Sequence, residues 1–212
     1  MYNNIKRDII DTALKLKEYN LIALSGGNVS VRTEEGHILI TPSGMSYEGM
    51  VEDDIIVMDI DGKIVEGTRR PSVDTEPILY IYKNMPHVNA VIHTHQVYAT
   101  AAGLIGDQLP AAVTTLPNAT LGPVNVAPFS SAASLEMGIQ TVKHIDGKRA
   151  IILKNHGVIT VGETLKKALY AAVYMEDAAK TYLMAKMVGN PIILTQAQVE
   201  EAVEVFEHYG QK

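Results

Sequence analysis

The sequence contains no cysteine among its 212 residues. This excludes disulfides, thiolate nucleophiles and cysteine-ligated zinc, so any metal site must be built from histidines and carboxylates. No apolar run approaches the ~20 residues that span a bilayer, and the first residues lack the apolar core of a signal peptide. We therefore expect a soluble, cytoplasmic protein without a membrane partner.

The sequence also lacks an excess of basic charge. It contains 18 lysines and arginines and 24 acidic residues, so the formal net charge is −6. Such a chain is a poor candidate for binding the phosphate backbone of nucleic acids. Apolar residues make up 47% of the chain and charged residues 20%, as in globular proteins and unlike disordered, collagen or coiled-coil sequences. Without repeats, low-complexity tracts or linkers, the chain is expected to form a single domain over 1–212.

The hydrophobic pattern predicts an α/β fold, because short apolar strands alternate with amphipathic helices. The longest predicted helix covers 165–188, with Thr164 as its cap, and a last helix begins at the capping box formed by Thr195 and Gln198. The stretch 109–131 contains four prolines and is predicted to form turns and short strands. Further helices are expected at 5–14 and 134–144, and strands at 29–32, 38–41, 55–58, 63–65, 89–95, 150–154 and 158–161.

Two histidines mark the end of the predicted strand 89–95. Residues two apart on a strand point to the same side, so His93 and His95 would project together from one face. Two converging neutral imidazoles make half of a zinc site. Hydrogen-bonded or surface histidines would give the same spacing, and on this triplet alone the two interpretations weigh about equally.

A third histidine, His156, ends the apolar strand 150–154, and Gly157 would let the backbone turn directly after it. A lone histidine in such a place is more often a hydrogen-bonded polar residue. Together with His93 and His95, however, it could complete a cluster at one edge of the sheet, where ligand sites gather. Three protein ligands leave a coordination position open for substrate, which is the pattern of catalytic zinc.

A carboxylate and two loops could complete such a site. Asp74 precedes a predicted helix, where it could cap the helix or lie beside the metal as ligand or general base, with Glu76 as the rival carboxylate. The loops 25–28 and 41–44 are rich in small and hydroxyl residues. Main-chain amides in such loops can hold a phosphate without a basic side chain, although ordinary turns have the same composition.

Taken together, these segments resemble the class II aldolase/epimerase family, and most closely its fuculose-phosphate aldolase branch. The resemblance extends from about residue 8 to the end of the chain. The matching pieces occur in the family's order; they are SGGNVSVR (25–32), ITPSGM (40–45), PSVD (71–74), AVIHTH (90–95), LKNHG (153–157) and YG (209–210).

The resemblance implies a three-layer α/β/α domain with a central, mainly antiparallel sheet. It also implies a homotetramer with active sites at the subunit interfaces and one zinc ion per subunit on His93, His95 and His156. Asp74 falls on the family's acidic position, and Tyr209 on a C-terminal tyrosine that acts in the active site. The phosphate-binding positions fall on Gly27, Asn28, Ser43, Gly44 and Ser72.

Three positions depart from the aldolase pattern. Val73 replaces a serine, Asp74 is one methylene shorter than the usual glutamate, and Asn118 stands where aldolases of this branch have tyrosine and epimerases have aspartate. An amide cannot act as an acid or base near neutral pH, so Asn118 can only orient a partner by hydrogen bonding.

The resemblance thus implies a zinc-dependent aldolase that cleaves a ketose 1-phosphate into dihydroxyacetone phosphate and a small aldehyde. Two alternatives stay open. A sugar-phosphate 4-epimerase is favoured by the Asp-Thr pair at 74–75, and a non-catalytic sugar-phosphate-binding protein is suggested by Asn118.

Overall fold

The computed structural model describes residues 1–207, which form a nine-stranded sheet with helices on both faces. The strand order is β4-β3-β2-β1-β5-β9-β8-β7-β6, and neighbouring strands of this sheet run antiparallel except at β7–β8. The strands are β1 (Asn28–Arg32), β2 (Ile38–Ile40), β3 (Ile56–Met58), β4 (Ile64–Glu66), β5 (Ala90–Thr94), β6 (Gln108–Leu109), β7 (Val124–Ala127), β8 (Ala150–Leu153) and β9 (Gly157–Gly162).

The helices form two layers because alternate strand residues face opposite sides of the sheet. In β2, Ile38 and Ile40 pack with α2 and α5, whereas Leu39 between them packs with α1 and α6. The predicted α/β/α architecture with a mainly antiparallel sheet is therefore confirmed. The helices are α1 (Asn3–Glu18), α2 (Thr75–Asn84), α3 (Val97–Ile105), α4 (Thr115–Thr120), α5 (Leu135–His144), α6 (Leu165–Val188) and α7 (Gln196–Glu207), with a short 3₁₀ turn at Glu52–Asp54.

The two C-terminal helices begin where their capping residues predict. The Thr164 side chain accepts a hydrogen bond from the main-chain N–H of Lys167, and α6 covers the predicted range 165–188. At the start of α7, the main-chain N–H of Thr195 donates to Gln198 Oε1 at 2.9 Å, which is one half of the capping box. Across residues 1–207, no helix combines the length and apolar character needed to cross a membrane.

The prediction for residues 109–131 is wrong in part, because this segment contains a helix as well as turns and short strands. Helix α4 includes Pro117 in its first turn, where the N–H that proline lacks would have no intrahelical acceptor. Its end is closed by the main-chain N–H of Leu121, which donates to the Pro117 carbonyl at 2.9 Å. Proline density alone therefore did not exclude a helix here.

The central strands bring three chain segments to one end of the sheet. In the β1–β5 pair, Asn28 at the start of β1 lies opposite His93 near the end of β5. In the β5–β9 pair, Thr94 lies opposite Val158 at the start of β9. The turn between β8 and β9 therefore lies beside the end of β5, and all three segments carry residues that the sequence predicts to be functional.

Candidate active site

The three predicted histidines meet at this end of the sheet. The Nε2 atoms of His93 and His95 are 3.0 Å apart, and the potential ligand atoms of His93, His95 and His156 all lie within 4.8 Å of one another. Two nitrogens bound to one tetrahedral zinc ion would be separated by about 3.3 Å. The His93 side chain is buried, that of His156 is half-buried and that of His95 is exposed, so the cluster opens to solvent on the His95 side.

The protonation of His93 suits a metal ligand. Its Nδ1 donates to the Val158 carbonyl at 2.8 Å, since a carbonyl oxygen can only accept, and this tautomer leaves the Nε2 lone pair directed at His95. Burial, followed by the neighbouring imidazoles of His95 and His156, lowers the pKa of His93 to about 3. His93 is therefore neutral at physiological pH, as ligation requires.

The environment of His156 also suits binding of a metal cation. Burial, followed by the nearby His95, lowers its pKa, so this imidazole is also held toward its neutral form. Its buried Nδ1 has no hydrogen-bond partner among residues 1–207. Neutral imidazoles gathered at metal-ligand spacing are a donor set that suits zinc and related divalent metals.

Glycines make room for this cluster. A Cβ on Gly157 would lie 2.4 Å from the Thr94 carbonyl oxygen and 2.9 Å from His95 Cδ2, and a Cβ on Gly27 would lie 2.4 Å from the His93 carbonyl oxygen. The expected role of Gly157 in turning the chain is wrong, because the left-handed residue of this turn is Asn155, at φ 59°. Gly157 instead allows β9 to approach β5 closely.

Gly157→Ala should therefore destabilise the protein and distort the histidine cluster. The added methyl group meets main-chain atoms that are fixed by strand pairing, and overpacking of this kind costs about 1–3 kcal/mol. Thermal unfolding should show a lower Tm, and metal analysis should show weaker retention of a divalent metal. Gly189→Ala is the matched control, since a Cβ there meets no atom within 4 Å. An unchanged Tm in Gly157→Ala would contradict the close-approach explanation.

Asp74 lies beside the cluster and does not act as a helix cap. It immediately precedes α2, but its side chain makes no capping hydrogen bond. Its Oδ2 accepts a hydrogen bond from Asn28 Nδ2 at 2.8 Å and lies 4.0 Å from His93 Nε2. Burial raises the pKa of Asp74, against the opposing effects of His156 and of the Asn28 hydrogen bond. The rival Glu76 is exposed and lines a separate depression beside Tyr80 and Lys83.

The predicted phosphate loop 41–44 and the predicted phosphate contact Ser72 adjoin this carboxylate. The main-chain N–H of Ser43 donates to the Arg70 carbonyl at 2.9 Å, and that of Ser72 donates to the Thr41 carbonyl at 3.2 Å. The main-chain N–H of Asp74 donates in turn to Ser72 Oγ at 3.3 Å. Gly44 has a φ of 66° and open space at its Cα. The structure therefore places the predicted phosphate-binding residues on segments that adjoin Asp74.

The segment of the chain that carries the histidines, Asp74 and the small-residue loops matches a known protein family. Residues 7–183 match the model described as Class II Aldolase and Adducin N-terminal domain. The chain belongs to the class II aldolase family.

The relatives of this family member include aldolases and an epimerase. It is 31% identical to a 5-deoxy-D-ribulose 1-phosphate aldolase from Bacillus thuringiensis, covering 98% of this chain and 97% of the relative. It is 34% identical to an L-ribulose-5-phosphate 4-epimerase from Salmonella paratyphi C, covering 89% of each. A solved structure of an L-fuculose 1-phosphate aldolase superposes with a TM-score of 0.92 at 33% identity, covering 98% of both chains. The predicted class, a class II aldolase-type enzyme, is confirmed.

Two residues that support the site were not predicted from the sequence. The buried Tyr47 donates from its hydroxyl to the Gly27 carbonyl at 2.9 Å, and burial raises the pKa of Tyr47 to about 12, so it stays a neutral donor. Glu176 in α6 accepts hydrogen bonds from the main-chain N–H groups of Tyr98 and Ala99, at 2.8 and 2.9 Å, at the start of the helix that follows His95. Both contacts join residues distant in sequence, and neither residue has a local pattern that marks its role.

The two remaining predicted positions lie toward the C-terminus. Asn118 lies in α4, where its amide group faces the carbonyls of Thr114 and Ala202; with the nitrogen turned toward them it donates to both, at 2.9 and 2.5 Å. Because Ala202 belongs to α7, Asn118 ties α4 to the C-terminal helix. Tyr209 lies outside the described residues.

Proposed function

We propose that the chain is a zinc-dependent aldolase that cleaves a ketose 1-phosphate into dihydroxyacetone phosphate and a small aldehyde. The observation that carries the proposal is the carboxylate of Asp74, 4.0 Å from the nearest imidazole of a three-histidine cluster and adjoined by two small-residue loops. His93, His95 and His156 would hold the zinc ion. When bound, the metal would supply Lewis-acid chemistry at the carbonyl and adjacent hydroxyl of the ketose, worth several kcal/mol in such sites.

Asp74 is the proposed general base. In the direction of synthesis it removes a proton from the hydroxymethyl carbon of dihydroxyacetone phosphate. Burial raises the pKa of Asp74, which makes it a stronger base than an exposed aspartate. Hydrogen bonds from the Asn28 amide and from the main chain of Ala133 hold the carboxylate in place.

The phosphate group would be held by Gly27, Asn28, Ser43, Gly44 and Ser72. Supporting this, the loops that carry Ser43 and Ser72 are hydrogen-bonded to each other and adjoin Asp74. Because the main-chain N–H groups of Ser43 and Ser72 already donate to carbonyls, these two serines would bind the phosphate through their hydroxyls. Fixing the phosphate at one end of dihydroxyacetone phosphate would hold the hydroxymethyl carbon at the other end within reach of Asp74.

Tyr209 is the proposed proton donor to the aldehyde oxygen as the new carbon–carbon bond forms. Tyr209→Phe should lower the rate of cleavage by ~10²–10⁴-fold, the usual contribution of general acid catalysis. Proton exchange into dihydroxyacetone phosphate should persist in this variant, because that step precedes aldehyde protonation. Tyr19→Phe, which changes an exposed tyrosine, serves as the control. Normal cleavage by Tyr209→Phe would show that another group donates the proton.

We further propose that the protein is a cytoplasmic homotetramer whose active sites lie at subunit interfaces. Exposed apolar residues next to the site, such as Leu24 and Val97, support a surface that another copy covers. Sedimentation of the purified protein at several concentrations would measure the oligomeric state.

A sugar-phosphate 4-epimerase is the second candidate, favoured by the relative that is 34% identical. The structure also gives the Asp-Thr pair a local role, since Thr75 Oγ1 donates to the Ser72 carbonyl at 2.6 Å and so ties α2 to the serine loop. This contact would serve either reaction, so the distinction has to come from the substrate.

The test is proton exchange into dihydroxyacetone phosphate in deuterated water, followed by NMR with and without a chelator. Stereospecific exchange that the chelator abolishes is the expected result. Absence of exchange in the zinc-loaded protein would overturn the aldolase proposal. Interconversion of pentulose 5-phosphates by that same preparation would establish the epimerase in its place.

A further inference from the structure

His95 lies in the two-residue connection between β5, which ends at Thr94, and α3, which begins at Val97. Its side chain is exposed, so packing in the protein interior does not fix the direction of the imidazole. Its Nε2 nevertheless lies 3.0 Å from Nε2 of His93. The chain segments on either side of His95 must therefore hold it in this position.

The residue that follows His95 is tied to α6. Gln96 is 0% exposed, so its amide lies wholly inside the protein. Its Oε1 accepts a hydrogen bond from Thr94 Oγ1 at 2.7 Å, and its Nε2 donates to the Ala172 carbonyl of α6 at 3.2 Å. A buried amide that is bonded at both ends has little freedom to move. His95 is therefore flanked by the end of β5 on one side and by a residue anchored to α6 on the other.

A carboxylate of α6 caps the helix that begins after Gln96. The first N–H groups of a helix have no intrahelical acceptor, and the side chain of the N-cap residue usually accepts from one of them. Gln96 is the N-cap residue of α3, but its side chain is taken up by the two hydrogen bonds just described. Glu176 accepts instead from the main-chain N–H groups of Tyr98 and Ala99, at 2.8 and 2.9 Å. Its negative charge also interacts favourably with the helix dipole.

We propose that Gln96 and Glu176 are positioning residues, which fasten the segment of His95 to α6 and so hold its imidazole close enough to His93 to share a metal ion. Their anchor points on α6, Ala172 and Glu176, are four residues apart and therefore lie one turn apart on the same face of the helix. Two anchors on one rigid element fix both the place and the direction in which the chain leaves β5. This inference rests on the proposed function, because it assigns both side chains to the geometry of the metal ligands.

The test measures zinc affinity by titrating the metal-free protein in competition with a chromophoric chelator. Loss of an outer-shell partner weakens metal binding by ~10–100-fold, and Glu176→Ala and Gln96→Leu should each weaken it within this range. Glu176→Gln keeps an acceptor oxygen for the N–H groups of α3 and should recover most of the affinity. Thr164→Ala is the stability control, because it removes the side chain that caps α6 and should lower Tm without changing zinc affinity.

Two further measurements report the geometry of the ligands. Cobalt(II) bound in place of zinc has a visible spectrum that depends on the number and arrangement of its ligands, and this spectrum should change in Glu176→Ala. It should stay as in the wild type in Asp177→Asn, which neutralises the adjacent, exposed carboxylate of α6. In crystal structures of the metal-free proteins, Glu176→Ala should separate the Nε2 atoms of His93 and His95 beyond the 3.0 Å of the wild type.

An equal loss of zinc affinity in Thr164→Ala would overturn the proposal, because the effect would then follow stability alone. Unchanged spacing of His93 and His95 in metal-free crystals of Glu176→Ala would also refute it. That comparison is decisive even where the wild type binds no zinc, a result that would refute the proposed function alone. Because Glu176 is only half-buried, its alanine variant provides the same comparison if Gln96→Leu does not fold.

Discussion

Replacing His95 by alanine should give a folded protein that no longer retains zinc. Of the three clustered imidazoles, that of His95 is the exposed one, and changes at exposed positions usually alter stability by no more than about 0.5 kcal/mol. Loss of an outer-shell partner weakens metal binding by ~10–100-fold, and loss of a direct ligand should exceed that. Metal analysis after dialysis should show near-stoichiometric zinc in the wild type and little in the variant, with exchange activity lost in parallel.

His87→Ala is the matched control, because His87 is also exposed but lies in the turn before β5. It should retain both zinc and activity. His93→Ala is less suitable, since it removes a buried side chain bonded to the Val158 carbonyl and would destabilise the sheet as well as the site. Unchanged zinc content in His95→Ala would refute the proposed ligand set.

The parts of the fold that the sequence predicts well are those set by local signals. Helix α6 follows from sustained helical periodicity between a threonine cap and a glycine, and the observed bounds agree with the prediction. Helix α4 shows the limit of such signals. Proline density predicts turns, but Pro117 lies in a first helical turn where its missing N–H costs nothing.

In the candidate site, too, only the residues marked by a local pattern could be predicted. The histidines could be found because a two-residue spacing on a strand and a histidine at a strand end are visible in the sequence. The role of Gly157 could not be predicted, because its close approach to the Thr94 carbonyl arises only when β5 and β9 pair. The contacts of Tyr47 and Glu176 likewise depend on tertiary packing between segments far apart in the chain.

Whether Asp74 caps α2 or lies beside the histidines was decided by a contact of this kind. Its position before a helix suggests a cap, which is the more common use of aspartate there. The side chain instead accepts a hydrogen bond from Asn28, on a strand 46 residues earlier in the chain. No local pattern predicts that choice, because it depends on β1 and the start of α2 meeting at the same end of the sheet.

Asp74→Asn should retain zinc and lose turnover. The substituted amide has nearly the same size, and its oxygen can still accept the hydrogen bond that Asn28 Nδ2 donates to Asp74 at 2.8 Å. It cannot take up a proton near neutral pH, and a general base contributes ~10²–10⁴-fold to rate, so kcat for exchange and for cleavage should fall by about that factor. Exchange kinetics, together with zinc analysis of the same preparation, measure both effects.

Glu76→Gln is the control that makes this result specific, because it neutralises the other carboxylate of the same segment at an exposed position on α2. It should leave both rate and metal content unchanged. A near-normal rate in Asp74→Asn with a deficit in Glu76→Gln would transfer the role of base to Glu76. Loss of zinc from Asp74→Asn would instead make Asp74 a metal ligand, since a base that only accepts a substrate proton has no part in holding the ion.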